Sequence, residues 1–383
     1  SQALSGREKV GNLGRRVERM TGGVSPPLQP AALARVTQSG PIRRRTAREG
    51  SPANREKVTL VAISPTLSRD IHRDESAVSG VNSTPTLAGR VALVTGGVRG
   101  IGLAISQDFL ERGATVAAGY SRNEEAAGAF LAAADPSRVS VHQGNISNHA
   151  DCERVIEEVI DRYGRLDILV NNAGILRDRM LVNMEEHEWD AVIEVHLKGH
   201  FAPTRHAAAY WRERSKAGDQ VAARVINTSS PSGVFGNVGQ LNYGAAKAGI
   251  VGFTLIAAQE LQRYGVTVNA IAPNARTRMT EAAFGEIPPP ENGFDAADPA
   301  NNSPIVVALC ADEAQDITGQ VFFVYGGVVN MLSGWEAGEL FASDERWDPD
   351  ALLQELRDRL PDGAAPPGML ASMHQAGGQS MRE

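Results

Sequence analysis

The sequence Thr95-Gly96-Gly97-Val98-Arg99-Gly100-Ile101-Gly102 follows an apolar run, Val91–Val94, and leads into a stretch with helical periodicity. Its glycines, spaced G-x-x-x-G-x-G, let the backbone turn sharply and approach a pyrophosphate, whose charge the N-terminus of the following helix stabilises. A glycine cluster alone is a weak signal, because an ordinary strand-to-helix turn has the same composition. Its place after the first strand of a βαβ unit favours dinucleotide binding over that alternative.

Seven short apolar runs alternate with helical patterns along the chain. The clearest helical pattern places Cys152, Val155, Ile156, Val159 and Ile160 on one face and ends before Gly164. Repeated strand–helix–strand units need right-handed crossovers, which predicts an α/β fold with a Rossmann-like, doubly wound, seven-stranded parallel sheet. The predicted strands are Val91–Val94, Thr115–Ala118, Val139–Val141, Leu166–Val170, Val225–Ile226, Val266–Ile271 and Val321–Val324.

The composition changes along the chain. Residues 1–86 contain 14 Lys or Arg against 7 Asp or Glu and no aromatic residue, although all 383 residues together carry a net charge of −7. Such a segment buries too little apolar surface to offset the entropy of ordering. We therefore expect a basic, disordered leader over 1–86, one Rossmann domain over 87–335 and an acidic extension over 336–383.

The leader leaves a function of a different class open. Arg43-Arg44-Arg45 and Arg48 are compatible with a nucleic-acid-binding leader on a non-catalytic dinucleotide-binding scaffold, but no aromatic residue interleaves with them, so nucleic acid is not the favoured partner. Seven acidic residues disfavour an organelle transit peptide, and a start site placed too far upstream stays open. In the acidic extension, Asp348-Pro349 predicts the start of one short helix, and we expect disorder over Pro361–Glu383.

The sequence favours a soluble, cytoplasmic protein. It has no run of about 18 uncharged apolar residues and no secretory signal, so we expect no membrane association. Cys152 and Cys310 have neither metal-ligand nor disulfide spacing, and we expect no metal site.

The end of the second strand bears on the choice of nucleotide. An NAD-binding site usually presents a carboxylate there, whereas this chain has Gly119-Tyr120-Ser121-Arg122-Asn123. Arg122, with Arg99 of the glycine loop, would meet a 2′-phosphate, which favours NADP(H) over NAD(H). Alternatively Ser121 is only half of a capping box with Glu124, and Arg122 a solvated residue at a helix start.

Three side chains predict the chemistry. Tyr243 and Lys247 are four residues apart in a helical pattern, so an ammonium can lie beside a phenol and lower its pKa. Ser230 follows the fifth strand at the carboxyl edge of the sheet, where its hydroxyl can hydrogen-bond a carbonyl oxygen. A lone Tyr-x-x-x-Lys is usually an exposed helix pair, but the glycine loop and the serine make chance a poor explanation.

These residues resemble the short-chain dehydrogenases/reductases over about residues 87–335. The likeness rests on Thr95–Gly102, on Asn171-Asn172-Ala173-Gly174, and on Ser230, Tyr243 and Lys247. The first half is similar to 3-oxoacyl-(acyl-carrier-protein) and acetoacetyl-CoA reductases. From Val195 on, the sequence is more similar to the (3R)-hydroxyacyl-CoA dehydrogenase domain of peroxisomal multifunctional enzymes, also called 17β-hydroxysteroid dehydrogenase type 4.

The resemblance implies roles for particular residues. Ser230, Tyr243 and Lys247 would be catalytic, with His196 where most members have a catalytic asparagine. His196 is then either a holder of the relay water or a packed core histidine. The implied cofactor-binding residues are Gly96, Val98, Arg99, Gly100, Ile101, Gly102, Ser121, Arg122, Asn145, Ile146, Asn172, Ala173, Gly174, Tyr243, Lys247, Pro273, Asn274 and Thr277.

The resemblance also implies a reaction. We expect NADPH-dependent reduction of a 3-oxoacyl thioester, on CoA or acyl carrier protein, in fatty acid or other lipid metabolism. The alternative is oxidation of a 3-hydroxyacyl-CoA or a hydroxysteroid. The segment Thr280–Ser303 would cover the substrate with apolar residues that include Ile287 and Phe294.

The helical pattern Leu241–Leu261 is apolar on nearly every face. A surface helix of that kind implies a partner subunit. Family members pair through this helix, so we expect a homodimer or homotetramer.

Overall fold

The computed structural model describes residues 86–285, 288–335, 337, 340–359 and 368–377. The leader predicted over 1–86 lies outside the described residues apart from Thr86. Its predicted disorder and its possible partners therefore stay predictions.

The described chain forms one sheet with strand order β3-β2-β1-β4-β5-β6-β7-β8. Strands β1 to β7 are parallel, as predicted, and β8 pairs with β7 in the antiparallel direction. The strands are β1 Val91–Val94, β2 Thr115–Tyr120, β3 Val139–Gln143, β4 Ile168–Asn171, β5 Ala223–Thr228, β6 Val266–Asn274, β7 Val321–Tyr325 and β8 Val328–Met331. The strand order runs outward in opposite directions from β1 and from β4, and this places a crevice at the carboxyl edge, where ligands bind in such sheets.

Strand β8 was not predicted. Tyr325 pairs with Val328, so only Gly326 and Gly327 form the turn, and Gly326 has φ +53°. Two glycines suit the positive-φ turns that match the twist of a hairpin. The strand alternates half-buried and exposed residues, as expected at an antiparallel edge.

Helices connect the strands and cover both faces of the sheet. They are α1 Gly100–Glu111, α2 Glu124–Ala132, α3 His149–Tyr163, α4 Glu186–Ile193, α5 Gly199–Lys216, α6 Pro231–Phe235, α7 Leu241–Leu261, α8 Arg278–Phe284, α9 Ser303–Cys310, α10 Pro349–Arg359 and α11 Met369–Gly377. Helix α3 ends at Gly164, whose φ of +76° is that of a left-handed cap, as predicted. A π-helical turn, Glu194–Lys198, joins α4 to α5.

The alternation of strand side chains produces two hydrophobic cores. Ala92 and Val94 pack in the core that includes Phe109 of α1. Val91 and Leu93 point to the other face, into the core that includes Trp211 of α5. Burial of each large apolar side chain contributes about 1.5–3 kcal/mol. Layers on both faces confirm the doubly wound fold.

Helix α7 forms part of the domain interior on one side. By length and composition alone, Leu241–Tyr264 would be able to cross a membrane. However, α7 packs against β6, α6 and α4, and it buries the polar residues Asn242, Lys247 and Thr254. These are properties of a core helix in an α/β domain. Its outer side leaves Ile256 60% exposed.

The described residues of the C-terminal extension form two helices, whereas one was predicted. Asp348 caps α10 as predicted, since its carboxylate accepts hydrogen bonds from the backbone N–H of Asp350 and Ala351. The expected disorder over Pro361–Glu383 is wrong for α11, which packs on α6 and β8 and buries Met373. Tertiary packing stabilises this short helix, whose local sequence alone would not.

Candidate active site

The glycine loop turns between β1 and α1 at the crevice. Gly96 and Gly100 have φ of +65° and +54°, which favours glycine. A Cβ at Gly102 would lie 2.3 Å from the carbonyl oxygen of Gly96 and 2.5 Å from Nδ2 of Asn172. Helix α1 has no side-chain cap and no acidic residue in its first turn. Its N-terminal N–H groups therefore suit a phosphate.

Thr95 fixes this loop against the end of β4. Its hydroxyl accepts hydrogen bonds from the backbone N–H of Asn172 at 2.9 Å and of Ala173 at 3.1 Å. Asn172 Nδ2 donates to the carbonyl oxygen of Thr95 at 3.0 Å. The loop and the predicted residues Asn172–Gly174 thus form one unit. Thr95 belongs to the motif identified in the sequence, but this positioning role was not predicted.

The end of β2 carries the residues predicted to meet the adenosine. Ser121 and Arg122 are exposed there. Asn123, not Ser121, caps α2, because its side-chain oxygen accepts the hydrogen bond from the N–H of Ala126. The capping box proposed for Ser121 is therefore wrong, and the hydroxyl is left for other partners.

A second arginine reinforces the positive charge near the glycine loop. Burial lowers the pKa of Arg99, and the charge of Arg278 at the start of α8 lowers it further. Two guanidinium groups that repel each other favour an anion between or beside them. Sequence reasoning did not single out Arg278.

The residues after β3 and β6 complete the crevice. Asn145 and Ile146 follow β3, and Pro273 and Asn274 end β6. Thr277 caps α8, and its Cγ2 lies 3.7 Å from the position of a Cβ at Gly100, so it faces the glycine loop as expected.

Ser230, Tyr243 and Lys247 meet at the carboxyl end of β5. Ser230 caps α6, with its Oγ accepting from the N–H of Ser232 at 3.2 Å. Lys247 Nζ donates to the carbonyl oxygen of Thr228 at 2.6 Å and lies 5.5 Å from the centroid of the Tyr243 ring. A Cβ at Gly233 would lie 2.5 Å from Cβ of Lys247. Glycine there lets α6 approach α7 closely enough to bring the three side chains together.

The electrostatics of this group differ from the sequence-based expectation. Burial raises the pKa of Tyr243 to about 12, a hydrogen bond with Ser230 counteracts the rise, and the charge of Asp178 adds to it. Burial also lowers the pKa of Lys247 to about 7. The predicted lowering of the tyrosine pKa by a lysine charge is therefore wrong here, because the lysine itself loses charge in the interior.

His196 lies in the π-helical turn with its imidazole fully buried. Its Nε2 is 2.7 Å from the carbonyl oxygen and 3.1 Å from the amide nitrogen of Ile175, and its ring meets the Tyr243 ring edge-on at 5.0 Å. A Cβ at Gly174 would lie 2.4 Å from Cε1 of His196. Burial holds the pKa of His196 well below its ordinary value, so the ring is neutral.

His200, which sequence reasoning missed, extends this polar interior. It lies one turn after His196 on the same helix, and that spacing was the available signal. Its Nδ1 donates to the carbonyl oxygen of His196 at 2.7 Å, and its Nε2 accepts from the N–H of Thr228 at 3.3 Å. Burial lowers the pKa of His200 to about 3. Neutral groups therefore link His196 to the strand end that holds Lys247.

A second polar group lies beside Tyr243. Gln240 donates from Nε2 to Asp178 at 2.7 Å, and its Oε1 accepts from Ser232 Oγ at 2.7 Å and from Asn237 Nδ2 at 2.9 Å. Sequence reasoning missed Gln240, although its position three residues before Tyr243 was visible. This group joins α6, α7 and the segment after β4.

Part of the predicted substrate loop is described. Phe294 is 66% exposed and packs near Gly326 at the β7–β8 turn. Ile287 lies outside the described residues. The loop therefore borders the edge of the sheet that β8 forms.

The fold and this group of side chains define a class, the oxidoreductases that act on an alcohol or carbonyl group with a nicotinamide dinucleotide. The sequence model of the family described as short chain dehydrogenase matches residues 90–286. The chain belongs to this family, as the resemblance predicted.

Several known proteins are similar over most of their length. Hydroxyacyl-CoA dehydrogenase ChsB1 of Mycobacterium tuberculosis is 45% identical over 287 residues, which are 72% of this chain and 90% of that protein. The 3-oxoacyl-[acyl-carrier-protein] reductase FabG of Thermotoga maritima is 38% identical over 253 residues, 63% of this chain and 99% of the relative. A short chain dehydrogenase from Mycobacterium avium has a solved structure that matches with a TM-score of 0.66 and 44% identity, covering 74% of this chain and 98% of that one.

Proposed function

We propose that this enzyme reduces the 3-oxo group of an acyl thioester to the 3-hydroxy compound with NADPH. The observation that carries the reaction type is the meeting of Ser230, Tyr243 and Lys247 beside the glycine loop. The thioester is supported by two relatives whose names specify a hydroxyacyl-CoA and a 3-oxoacyl carrier-protein substrate.

The residues present fit a dinucleotide. Among the described residues, Lys247 Nζ has one acceptor for three donors, and buried His196 Nδ1 has no partner. Unpaired buried groups of this kind are costly unless a ligand or water satisfies them. Gly96–Gly102 and Thr277 would hold the phosphates, Lys247 the nicotinamide ribose, and Pro273 and Asn274 the nicotinamide amide.

NADP(H) is supported by charge. Arg99 lies in the glycine loop with Arg278 nearby, and Arg122 follows β2, where a carboxylate would disfavour a 2′-phosphate. A hydrogen bond to a charged group contributes about 1.5–3 kcal/mol. Loss of Arg122 should therefore raise the KM for NADPH about tenfold or more and leave that for NADH little changed.

NADPH bound in this crevice would supply the hydride for the carbonyl carbon. Tyr243 donates its phenolic proton to the carbonyl oxygen, and a pKa of about 12 keeps that proton in place until the oxygen becomes basic. Ser230 orients and polarises the same oxygen by hydrogen bonding. Lys247, with a pKa of about 7, is able to return a proton to the tyrosine near neutral pH.

The same groups catalyse the reverse reaction, with Tyr243 accepting the proton of an alcohol. The name of the Mycobacterium tuberculosis relative, a dehydrogenase, favours this direction as the second candidate. Oxidation needs the phenolate, so its rate should rise with pH more steeply than the rate of reduction.

The test is the initial rate of acetoacetyl-CoA reduction with NADPH and with NADH. A positioned acid contributes about 10²–10⁴-fold, so Tyr243→Phe should lower kcat by that factor with NADPH. Tyr264→Phe, in the turn after α7, is the matched control and should retain the rate. Equal rates for Tyr243→Phe and the unmodified enzyme would overturn the assignment of the acid, and a preference for NADH would overturn that of the nucleotide.

We also propose that the enzyme is a homodimer or homotetramer. Leu255 and Ile256 are exposed on the outer side of α7, and Phe201 is exposed on α5. Exposed apolar side chains on the surface helices of a domain are typical of an interface between subunits.

A further inference from the structure

Helix α11 has one buried side. Met369 is partly buried, and Ser372 and Met373 are 9% and 4% exposed. These positions, i, i+3 and i+4, share a helix face. Leu370 points outward and is 67% exposed. The helix therefore rests on the domain through a defined face.

That face lies against α6, the helix that Ser230 caps. Helix α11 packs on α6 and β8. Ser232 Oγ lies 3.5 Å from Met369 Sδ, and the N–H of Ser232 donates to Ser230 Oγ at 3.2 Å. Ser232 thus contacts both Met369 and Ser230.

The catalytic group and Met369 suit different parts of an acyl thioester. Ser230 and Tyr243 offer hydroxyl groups that suit the carbonyl oxygen of a thioester. Met369 adds a flexible, polarisable thioether, which adapts to apolar groups of varied shape. An acyl chain that extends away from the reacting carbonyl in the direction of α6 would meet this side chain.

Helix α11 lies after the residues that the family model matches, as do β7 and β8. The family match ends at residue 286. The Thermotoga maritima reductase is covered over 99% of its length by only 63% of this chain. An element that packs beside the catalytic group but supplies none of its residues is well placed to alter substrate choice without altering the chemistry.

We propose that α11 is the outer wall of the substrate site and that Met369 is a specificity-determining residue that contacts the acyl chain. The proposal rests on the proposed function in naming an acyl chain as the group contacted. It assigns no part of the hydride or proton transfer to α11.

The test is protection of an introduced thiol in the full-length enzyme. The native cysteines should react slowly with iodoacetamide, because Cys152 and Cys310 are buried and burial raises their pKa values to about 11 and 12. Met369→Cys is alkylated with iodoacetamide in the presence of NADP⁺, with and without decanoyl-CoA. Leu370→Cys, on the outward face, is the matched control.

At a decanoyl-CoA concentration of about ten times Kd, only about a tenth of the sites are free, so alkylation of Met369→Cys should slow about tenfold. Acetyl-CoA, whose acyl group is too short to reach α11, should protect much less, and Leu370→Cys should react at one rate throughout. Equal rates for Met369→Cys with and without decanoyl-CoA, or equal protection of the two variants, would overturn the assignment.

A second variant connects the wall to turnover. Met369→Trp should lower kcat/KM for 3-oxodecanoyl-CoA about tenfold relative to acetoacetyl-CoA, because overpacking excludes the longer chain. Leu370→Trp should leave the ratio unchanged, and an unchanged ratio in Met369→Trp would overturn the specificity role. If the unmodified enzyme reduced neither thioester while decanoyl-CoA protected Met369→Cys, the proposed reaction would fail and the assignment of the wall would stand.

Discussion

Replacement of Lys247 by methionine should stabilise the ligand-free enzyme while removing its activity. Lys247 is 2% exposed, and burial lowers its pKa from 10.5 to about 7. Between these values the unfolded chain binds a proton that the folded chain does not, so stability rises with pH. Methionine has similar length, fills the same space and carries no charge to desolvate.

The magnitude follows from the two pKa values. The cost of burying this amine is about 4 kcal/mol at pH 7 and about 2 kcal/mol at pH 9. Methionine leaves the carbonyl oxygen of Thr228 without its donor, which costs about 1–3 kcal/mol. The variant should therefore be about 1–3 kcal/mol more stable at pH 7, and that advantage should shrink by about 2 kcal/mol at pH 9.

The assay is urea unfolding of the unmodified enzyme and of Lys247→Met at several pH values between 7 and 9. Comparing the two proteins at each pH cancels the contributions of other titrating groups. Lys198→Met, at an exposed lysine, is the control and should leave the pH dependence unchanged. Parallel pH dependences for the unmodified enzyme and Lys247→Met would refute the reasoning, because they would show that the buried amine keeps its ordinary pKa.

Two further predictions concern residues that position the site, and a third concerns the proposed subunit interface. Gly174→Ala should cost about 1–3 kcal/mol of unfolding free energy in urea titration, since its Cβ would meet His196; full stability would contradict the close contact. Thr95→Val removes the acceptor for two N–H groups, and calorimetric titration should show at least severalfold weaker NADPH binding. An unchanged Kd would mean that the glycine loop keeps its conformation without these hydrogen bonds. Ile256→Glu should give smaller particles in light scattering, and an unchanged mass would exclude this face from the interface.

The regular elements were predictable where the sequence pattern and the packing agree. Helix α7 has the predicted bounds, and the seven parallel strands follow from apolar runs that are buried on both faces. Strand β8 and helix α11 escaped prediction because each depends on a neighbour. Strand Val328–Met331 forms by pairing with β7. Helix α11 buries its methionines by packing on α6, and a local sequence pattern does not report either contact.

The identity of the site residues was likewise more predictable than their electrostatics. Spacing brought Tyr243 and Lys247 to one helix face, and strand order brought Ser230 to them. Spacing does not report how deeply a group is buried, and burial reverses the expected shift in the pKa of Tyr243. Local sequence patterns also do not predict hydrogen bonds between distant segments, such as the one from Gln240 to Asp178.

The π-helical turn at Glu194–Lys198 has a consequence for how this site tolerates insertions and deletions. A π turn holds one more residue than an α turn, so it shifts the angular phase of everything after it by about 100°. Deleting one residue there would restore an uninterrupted α-helix with better backbone hydrogen bonds. It would also rotate the imidazole of His196 away from Ile175 and the Tyr243 ring, and turn His200 away from Thr228. The helix thus changes its angular phase at the turn that carries His196, whose ring meets that of Tyr243.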